Sequence, residues 1–210
     1  MTIFRLRTSI HMCAIIWLPL IAFVLSFLGV YFLKKSALRL KIVAIPNERS
    51  LHNKVTPRGG GVIIAIVFLA FLLVFYITRQ IMVAEFLVLF GGGLIMAVTG
   101  FLDDILELKA SIRFIIQFFA VSWGLYWIGG IPSTVFFERL PVLYAIANAV
   151  AVVALVWFIN SFNFIDGIDG LATSGATFFS LSTGGYFLWQ GIEPYGSLLI
   201  ILAACSLAFL

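Results

Sequence analysis

The sequence predicts an all-α fold, a polytopic bundle of transmembrane helices. Three observations carry that prediction. The 210 residues are 63% hydrophobic and only 10% charged, whereas soluble domains are about half apolar and about a quarter charged. Mean hydropathy is +1.17. The apolar residues also lie in continuous runs of helix length, without the strict alternation that a membrane β-strand requires. A water-soluble globule of this size cannot hide so much apolar surface, so lipid is the solvent for most of it.

Seven apolar segments follow in order: Ala14–Leu33, Gly60–Thr78, Val83–Leu102, Ile112–Ile128, Val142–Ser161, Leu171–Gln190 and Ser197–Leu210. Most approach the ~20 residues that cross a bilayer core. In hydrocarbon each must be helical, because only a helix satisfies its own backbone. About seven spans are therefore expected, the last cut off by the end of the chain. Ala14–Leu33 is too long for a signal-peptide core and is followed at once by Lys34 and Lys35, so it is read as a retained first helix. Gly91-Gly92-Gly93, mid-span in the third segment, is read as a close-packing site. No repeat or linker divides the chain, so 1–210 is one integral membrane domain, with loops on one face at about 34–59, 103–111 and 162–170.

Charge sets the expected orientation. The segment after the first span carries Lys34, Lys35, Arg39, Lys41, Arg49, Lys54 and Arg58, against Arg5 and Arg7 in the N-terminal tail. Loops rich in Lys and Arg stay cytoplasmic, which places the N-terminus outside and all three of those loops inside. Trp17, Tyr76, Trp127 and Trp189 then fall near outer ends, where amphipathic rings prefer to sit. The net charge of +4 is explained by this bias and by an anionic substrate. No interleaving of aromatic and basic residues suggests nucleic acid. Cys13 and Cys205 form no disulfide framework, and two histidines, His11 and His52, are too few for a zinc site.

The acidic residues are few, so their positions are informative. Asp103 and Asp104 end the third span. Asp166 and Asp169 follow the fifth, within Asn163-Phe164-Ile165-Asp166-Gly167-Ile168-Asp169-Gly170. A lone Asp-Asp at a helix end is most often a solvated cap. Here the topology puts both clusters on the face that also holds Pro46-Asn47-Glu48-Arg49-Ser50 and Thr56-Pro57-Arg58-Gly59-Gly60-Gly61. Adjacent carboxylates at a membrane boundary repel each other and resist desolvation, which a divalent cation relieves. Asn163, Asp166 and Asp169 recur every third residue and would share one face of a helix. Carboxylates, a metal and nearby cations are the parts used for phosphoryl transfer. Asp103, Asp104, Asn163, Asp166 and Asp169, with the Lys and Arg of the same face, are the candidates for this chemistry. Glu85 is read as snorkelling from the outer end of its span, and Asn148 as an interhelical bridge.

Three motifs, Pro46-Asn47-Glu48-Arg49-Ser50-Leu51-His52 with Thr56–Gly61, Gly100-Phe101-Leu102-Asp103-Asp104, and Asn163–Ala172, occur in an order and at membrane positions that resemble the polyprenyl-phosphate N-acetylhexosamine-1-phosphate transferases, glycosyltransferase family 4. The forms of the first motif resemble the O-antigen and exopolysaccharide branch. The resemblance covers the whole chain. It implies transfer, at the cytoplasmic face of the bacterial inner membrane, from a UDP-N-acetylhexosamine to undecaprenyl phosphate, with release of UMP. Mg²⁺ is the implied cofactor, with Mn²⁺ as a substitute. The resemblance further implies that Asp103 and Asp104 engage or deprotonate the lipid phosphate, that Asn163 helps hold the metal, and that Asp169 contacts uracil. Arg113 is placed near the phosphates and Lys54 near the nucleotide, so the resemblance makes Asp103 and Asp104 the catalytic candidates, Asn163 and Asp166 the metal candidates, and Asp169, Asp166, Arg113, Lys54, Arg58, Asn47, Arg49 and His52 the candidates for binding substrate. The family has about ten or eleven helices, consistent with ~20 residues per span, so the chain is expected to be an N-terminal fragment that is inactive alone. A homodimer stays open. A secondary transporter is the alternative, but its acids would sit near the midplane between repeats rather than at one face.

Overall fold

The computed structural model describes residues 2–40, 43–44, 56–57, 59–132, 140–165 and 170–210, with side chains over 16–35, 59–132, 140–163 and 170–210. Each of the seven apolar segments falls on a helix: α1 (Thr2–Leu40), α2 (Gly60–Ile77), α3 (Val83–Leu106), α4 (Ala110–Ile128), α5 (Pro141–Ile165), α6 (Leu171–Trp189) and α7 (Glu193–Leu207). Between α1 and α2, Val43–Ala44 pairs antiparallel with Thr56–Pro57, Val43 opposite Pro57.

Among the described residues, five stretches are long and apolar enough to cross a membrane: Ile16–Lys35, Gly60–Ile77, Val83–Leu106, Ala110–Ile128 and Pro141–Asn163. The expected count of about seven is thus met in part. The physical reason lies in the last two helices. Helix α6 has length but carries Thr173, Ser174, Thr177, Ser180, Ser182 and Thr183. Helix α7 has only 15 residues. Its start is set by Pro194, which fits a first helical turn because the missing N–H would be unsatisfied there anyway.

Two kinds of surface separate cleanly. Ala22, Leu69, Leu72, Phe75, Ile201 and Cys205 form a buried core where α1, α2 and α7 meet. By contrast, Val142, Ile146, Val150, Val153 and Trp157 are all exposed at intervals of three and four residues. That spacing makes one continuous apolar stripe along α5, the face a helix turns to lipid. With exposed stripes of this kind on several spans, the chain is a multi-pass integral membrane protein.

Small residues allow the closest approaches. A Cβ on Gly184 would lie 3.0 Å from Leu199 Cβ and 3.1 Å from the Gly196 carbonyl, and one on Gly196 would lie 2.7 Å from Leu188 Cγ. These two positions therefore hold α6 and α7 together as a tight antiparallel pair. The triple glycine divides its work. Gly91 accommodates the Trp123 indole, Gly93 meets Leu69, and Gly92 has open space.

Helix α3 is not uniform. Residues Leu87–Gly91 form a π-helical turn between α-helical Val83–Phe86 and Gly92–Leu106. Trp123 of α4 donates its indole N–H to the Leu87 carbonyl at 2.9 Å. A π turn breaks the regular i to i−4 ladder, and this bond supplies a partner to a carbonyl inside the irregular turn.

Candidate functional site

Helix α3 runs through the acidic pair, so Asp103 and Asp104 lie in its last turn rather than beyond it. Glu107 then adopts φ 48°, a left-handed conformation that ends the helix, and its N–H bonds the Asp103 carbonyl at 3.0 Å. The connection to α4 is only Glu107–Lys109, shorter than the loop expected over 103–111. This tight reversal brings the start of α4 back onto Asp103. Its Oδ1 accepts the Leu108 N–H at 3.0 Å, and its Oδ2 accepts Arg113 Nη1 at 2.9 Å. Both side chains of the ion pair are about one-third exposed, at 34% for Arg113 and 29% for Asp103. A pair so exposed contributes only about 0.2–1 kcal/mol, so its main effect is geometric. Asp104 is half-buried and stands ~100° further round the helix, so it does not duplicate the environment of Asp103.

Asn163 lies in the last turn of α5 and is exposed, as is Asn160 one turn before it. Both fall within the apolar stretch Pro141–Asn163. An amide strip on a membrane helix is costly against lipid, so this face suits a polar space.

Sequence reasoning missed two residues here. Gln117, one turn along α4 from Arg113, is 1% exposed. Asn160 donates Nδ2 to the Gln117 Oε1 and, at 2.8 Å, to the Val156 carbonyl. A signal was present: each is an uncharged amide inside an apolar run, four residues from Arg113 and three from Asn163 respectively.

Helix register brings the glycine motif to the same end. Gly93 packs against Leu69 on antiparallel α2. Gly60 lies nine residues from Leu69, and Asp103 ten from Gly93. At 1.5 Å rise, both distances are about 14–15 Å in the same direction, so the two stand level. Residues at the end of the described chain link the remaining elements. Gly60 leaves room for the Phe209 ring, which Lys34 Nζ approaches to 6.0 Å of the centroid. A Cβ on Gly170, at φ 72°, would lie 3.1 Å from Leu210 Cδ2. Thus the end of α1, the start of α2, the start of α6 and the end of α7 gather together. Asn47, Arg49, His52, Lys54, Arg58, Asp166 and Asp169 lie outside the described residues.

The polar contacts at the opposite end are caps. The Glu85 carboxylate accepts the Met82 N–H at 2.8 Å and also bonds the Tyr195 hydroxyl, so it anchors two helix starts rather than snorkelling. Asn148 accepts the Ile131 N–H at 2.9 Å and donates to the Tyr144 carbonyl, so it caps the exit of α4 rather than bridging two helix bodies. A hollow of about 540 Å³ beside Tyr76, Arg79 and Met82 lies at this same end and has no acidic lining. The chemistry-bearing groups sit elsewhere, and charge rather than concavity identifies the site.

Among the described residues, no three acidic, His or Cys side chains gather as a metal cage. Mg²⁺ needs no such cage, because it keeps water and substrate phosphate among its ligands and takes one or two carboxylates.

The fold and site together define a multi-pass helical membrane protein with an acidic and basic centre at one end of the bundle. The chain belongs to glycosyl transferase family 4, whose model matches residues 86–210. It is 32% identical over 199 residues to a probable undecaprenyl-phosphate N-acetylglucosaminyl 1-phosphate transferase of Bacillus subtilis (strain 168), covering 90% of this chain and 54% of that protein. It is 34% identical over 169 residues to a decaprenyl-phosphate N-acetylglucosaminephosphotransferase of Mycolicibacterium smegmatis, covering 73% and 40%. A phospho-N-acetylmuramoyl-pentapeptide-transferase of a Wolbachia of Brugia malayi is 30% identical over 182 residues, covering 78% and 55%. The family resemblance read from the motifs is borne out. The chain spans about half the length of the curated relatives it matches.

Proposed function

We propose that the protein carrying this chain is a glycosyl-1-phosphate transferase. It moves N-acetylhexosamine-1-phosphate from a UDP-sugar to undecaprenyl phosphate at the cytoplasmic face of the bacterial inner membrane and so begins a surface polysaccharide or cell-wall lipid. The observation that carries the reading is the acidic pair at the end of α3 with Arg113 held against it, level with the start of α2. The relatives named above support N-acetylglucosamine as the sugar. Seven Lys and Arg between the first two spans support the cytoplasmic placement.

The chemistry balances as a phosphoryl transfer. An oxygen of the acceptor phosphate bonds to the β-phosphorus of the UDP-sugar. The bond from that phosphorus to the bridging oxygen breaks, and UMP leaves with the electron pair. Asp104 receives the proton of the acceptor phosphate, while Asp103 is occupied in fixing Arg113. Arg113 offsets charge on the phosphates, where placement and neutralisation supply most of the acceleration. Mg²⁺, when bound, adds further neutralisation of the diphosphate, and Asn163 with Asp166 would hold it. Asp169 and the basic segment residues Asn47, Arg49, His52, Lys54 and Arg58 are assigned to the nucleotide sugar.

The test uses the complete open reading frame in membranes, with labelled UDP-N-acetylglucosamine and undecaprenyl phosphate. Asp104→Asn should abolish formation of the lipid-linked product and of UMP while membrane insertion stays intact. Wild-type rates in that variant would refute the assignment.

A further inference from the structure

Two groups of the proposed centre stand on different helices, Arg113 on α4 and Asn163 on α5. Their separation depends on how α4 and α5 are set against each other. Between them runs an open groove of about 230 Å³, lined by Val121, Leu125, Leu155, Phe158 and Ile159 with Val88 of α3. Side chains along an open groove lack partner atoms on one side, so polar bonds at its ends carry more of the register of the two helices. Two polar clamps bracket the groove. One is the cap formed by Asn148 and Tyr144 at the far end. The other is the hydrogen bond between Gln117 and Asn160, toward the site.

The second clamp is rigidly built. Gln117 is fully buried, and both N–H groups of Asn160 are engaged, one by Gln117 and one by its own helix at Val156. The i−4 bond fixes the rotamer, and burial of Gln117 strengthens the bond it accepts. Gln117 lies one turn from Arg113, and Asn160 just under one turn from Asn163, so a change in this bond reaches both site groups with little lever arm.

We propose that Gln117 and Asn160 are positioning residues, whose bond sets the height and rotation of Arg113 relative to Asn163. The inference rests on the transferase reading, in which those two groups serve the phosphates and the metal. Neither amide needs to touch substrate.

The complete protein tests it, through kcat and KM for UDP-N-acetylglucosamine, the Mg²⁺ concentration giving half-maximal rate, and the melting midpoint in detergent. In Gln117→Leu the buried volume is nearly kept and the bond is lost. We expect kcat to fall ~10²-fold, as small misplacements of reacting groups do, with KM changing less than ~3-fold. The Mg²⁺ requirement should rise and the folded yield should hold. Asn160→Leu, which removes donors and acceptor together at similar size, serves if Gln117→Leu does not fold, and should lose kcat in the same way. The exchange of Gln117→Asn with Asn160→Gln restores the summed side-chain length and should recover most of the rate. Unchanged kcat in both single variants overturns the inference, as does a loss that only tracks folded yield. Absence of transfer by the wild type would overturn the transferase reading and this inference together. An active wild type with unaffected variants overturns this inference alone.

Discussion

Asp103 accepts Arg113 Nη1 at 2.9 Å across the three-residue turn from α3 to α4, while its other oxygen accepts the Leu108 N–H. One carboxylate thus ends a helix and orients a cation, and Asp104 beside it has a different task. Asp103→Ala should cost about 1–2 kcal/mol of stability from the lost cap and pair, read as a lower melting midpoint in detergent. Asp104→Asn should remove transfer while membrane insertion stays intact.

Arg113→Lys is the sharper test of geometry. An ammonium keeps the charge but not the planar fork that meets a carboxylate or phosphate. Transfer should fall about 10-fold or more, since a mispositioned cation neutralises the phosphates less well. A rate equal to wild type would show that charge alone suffices there.

Gly130 should tolerate no side chain. Its φ is 89°, and a Cβ would lie 2.5 Å from both Asn148 Oδ1 and Tyr144 Oη. Gly130→Ala should destabilise by about 1–3 kcal/mol, the usual cost of a strained backbone position. Because this cap is remote from Asp103, the folded fraction should keep its KM.

The Glu85–Tyr195 bond makes a separable prediction about the far end. Tyr195→Phe should lower the melting midpoint by an amount equivalent to about 1 kcal/mol and leave transfer per folded molecule unchanged. A selective loss of rate would assign this end a part in the reaction.

The helices were legible because length and apolarity are local properties: a run such as Gly60–Ile77 declares itself without its neighbours. The acidic pair was legible for the same reason, as rare charge at a span boundary. What Asp103 does was not, since its pairing with Arg113 depends on Glu107 taking a left-handed turn. Gln117 and Asn160 are 43 residues apart, and nothing in either span names the other. The weaker apolarity of α6 was visible in its hydroxyls, but its tight fit to α7 through Gly184 and Gly196 needed both backbones in place.

The π turn at Leu87–Gly91 has a consequence for the site 12 residues further along. Such a turn takes up one residue more than a regular helix of the same rise, and one residue is worth ~100° of rotation. It therefore acts as a phase offset: upstream, Phe86 stacks on Tyr76 with centroids 4.2 Å apart, while downstream the acidic pair keeps the azimuth that meets Arg113. Deleting a single residue between Leu87 and Gly91 would straighten the ladder and improve the helix. Because the turn already absorbs that residue, the deletion would leave Asp103 facing its partner, whereas winding the same residues into a regular helix would carry Asp103 on by ~100°, so the irregularity is what reconciles the residue count with an aligned centre.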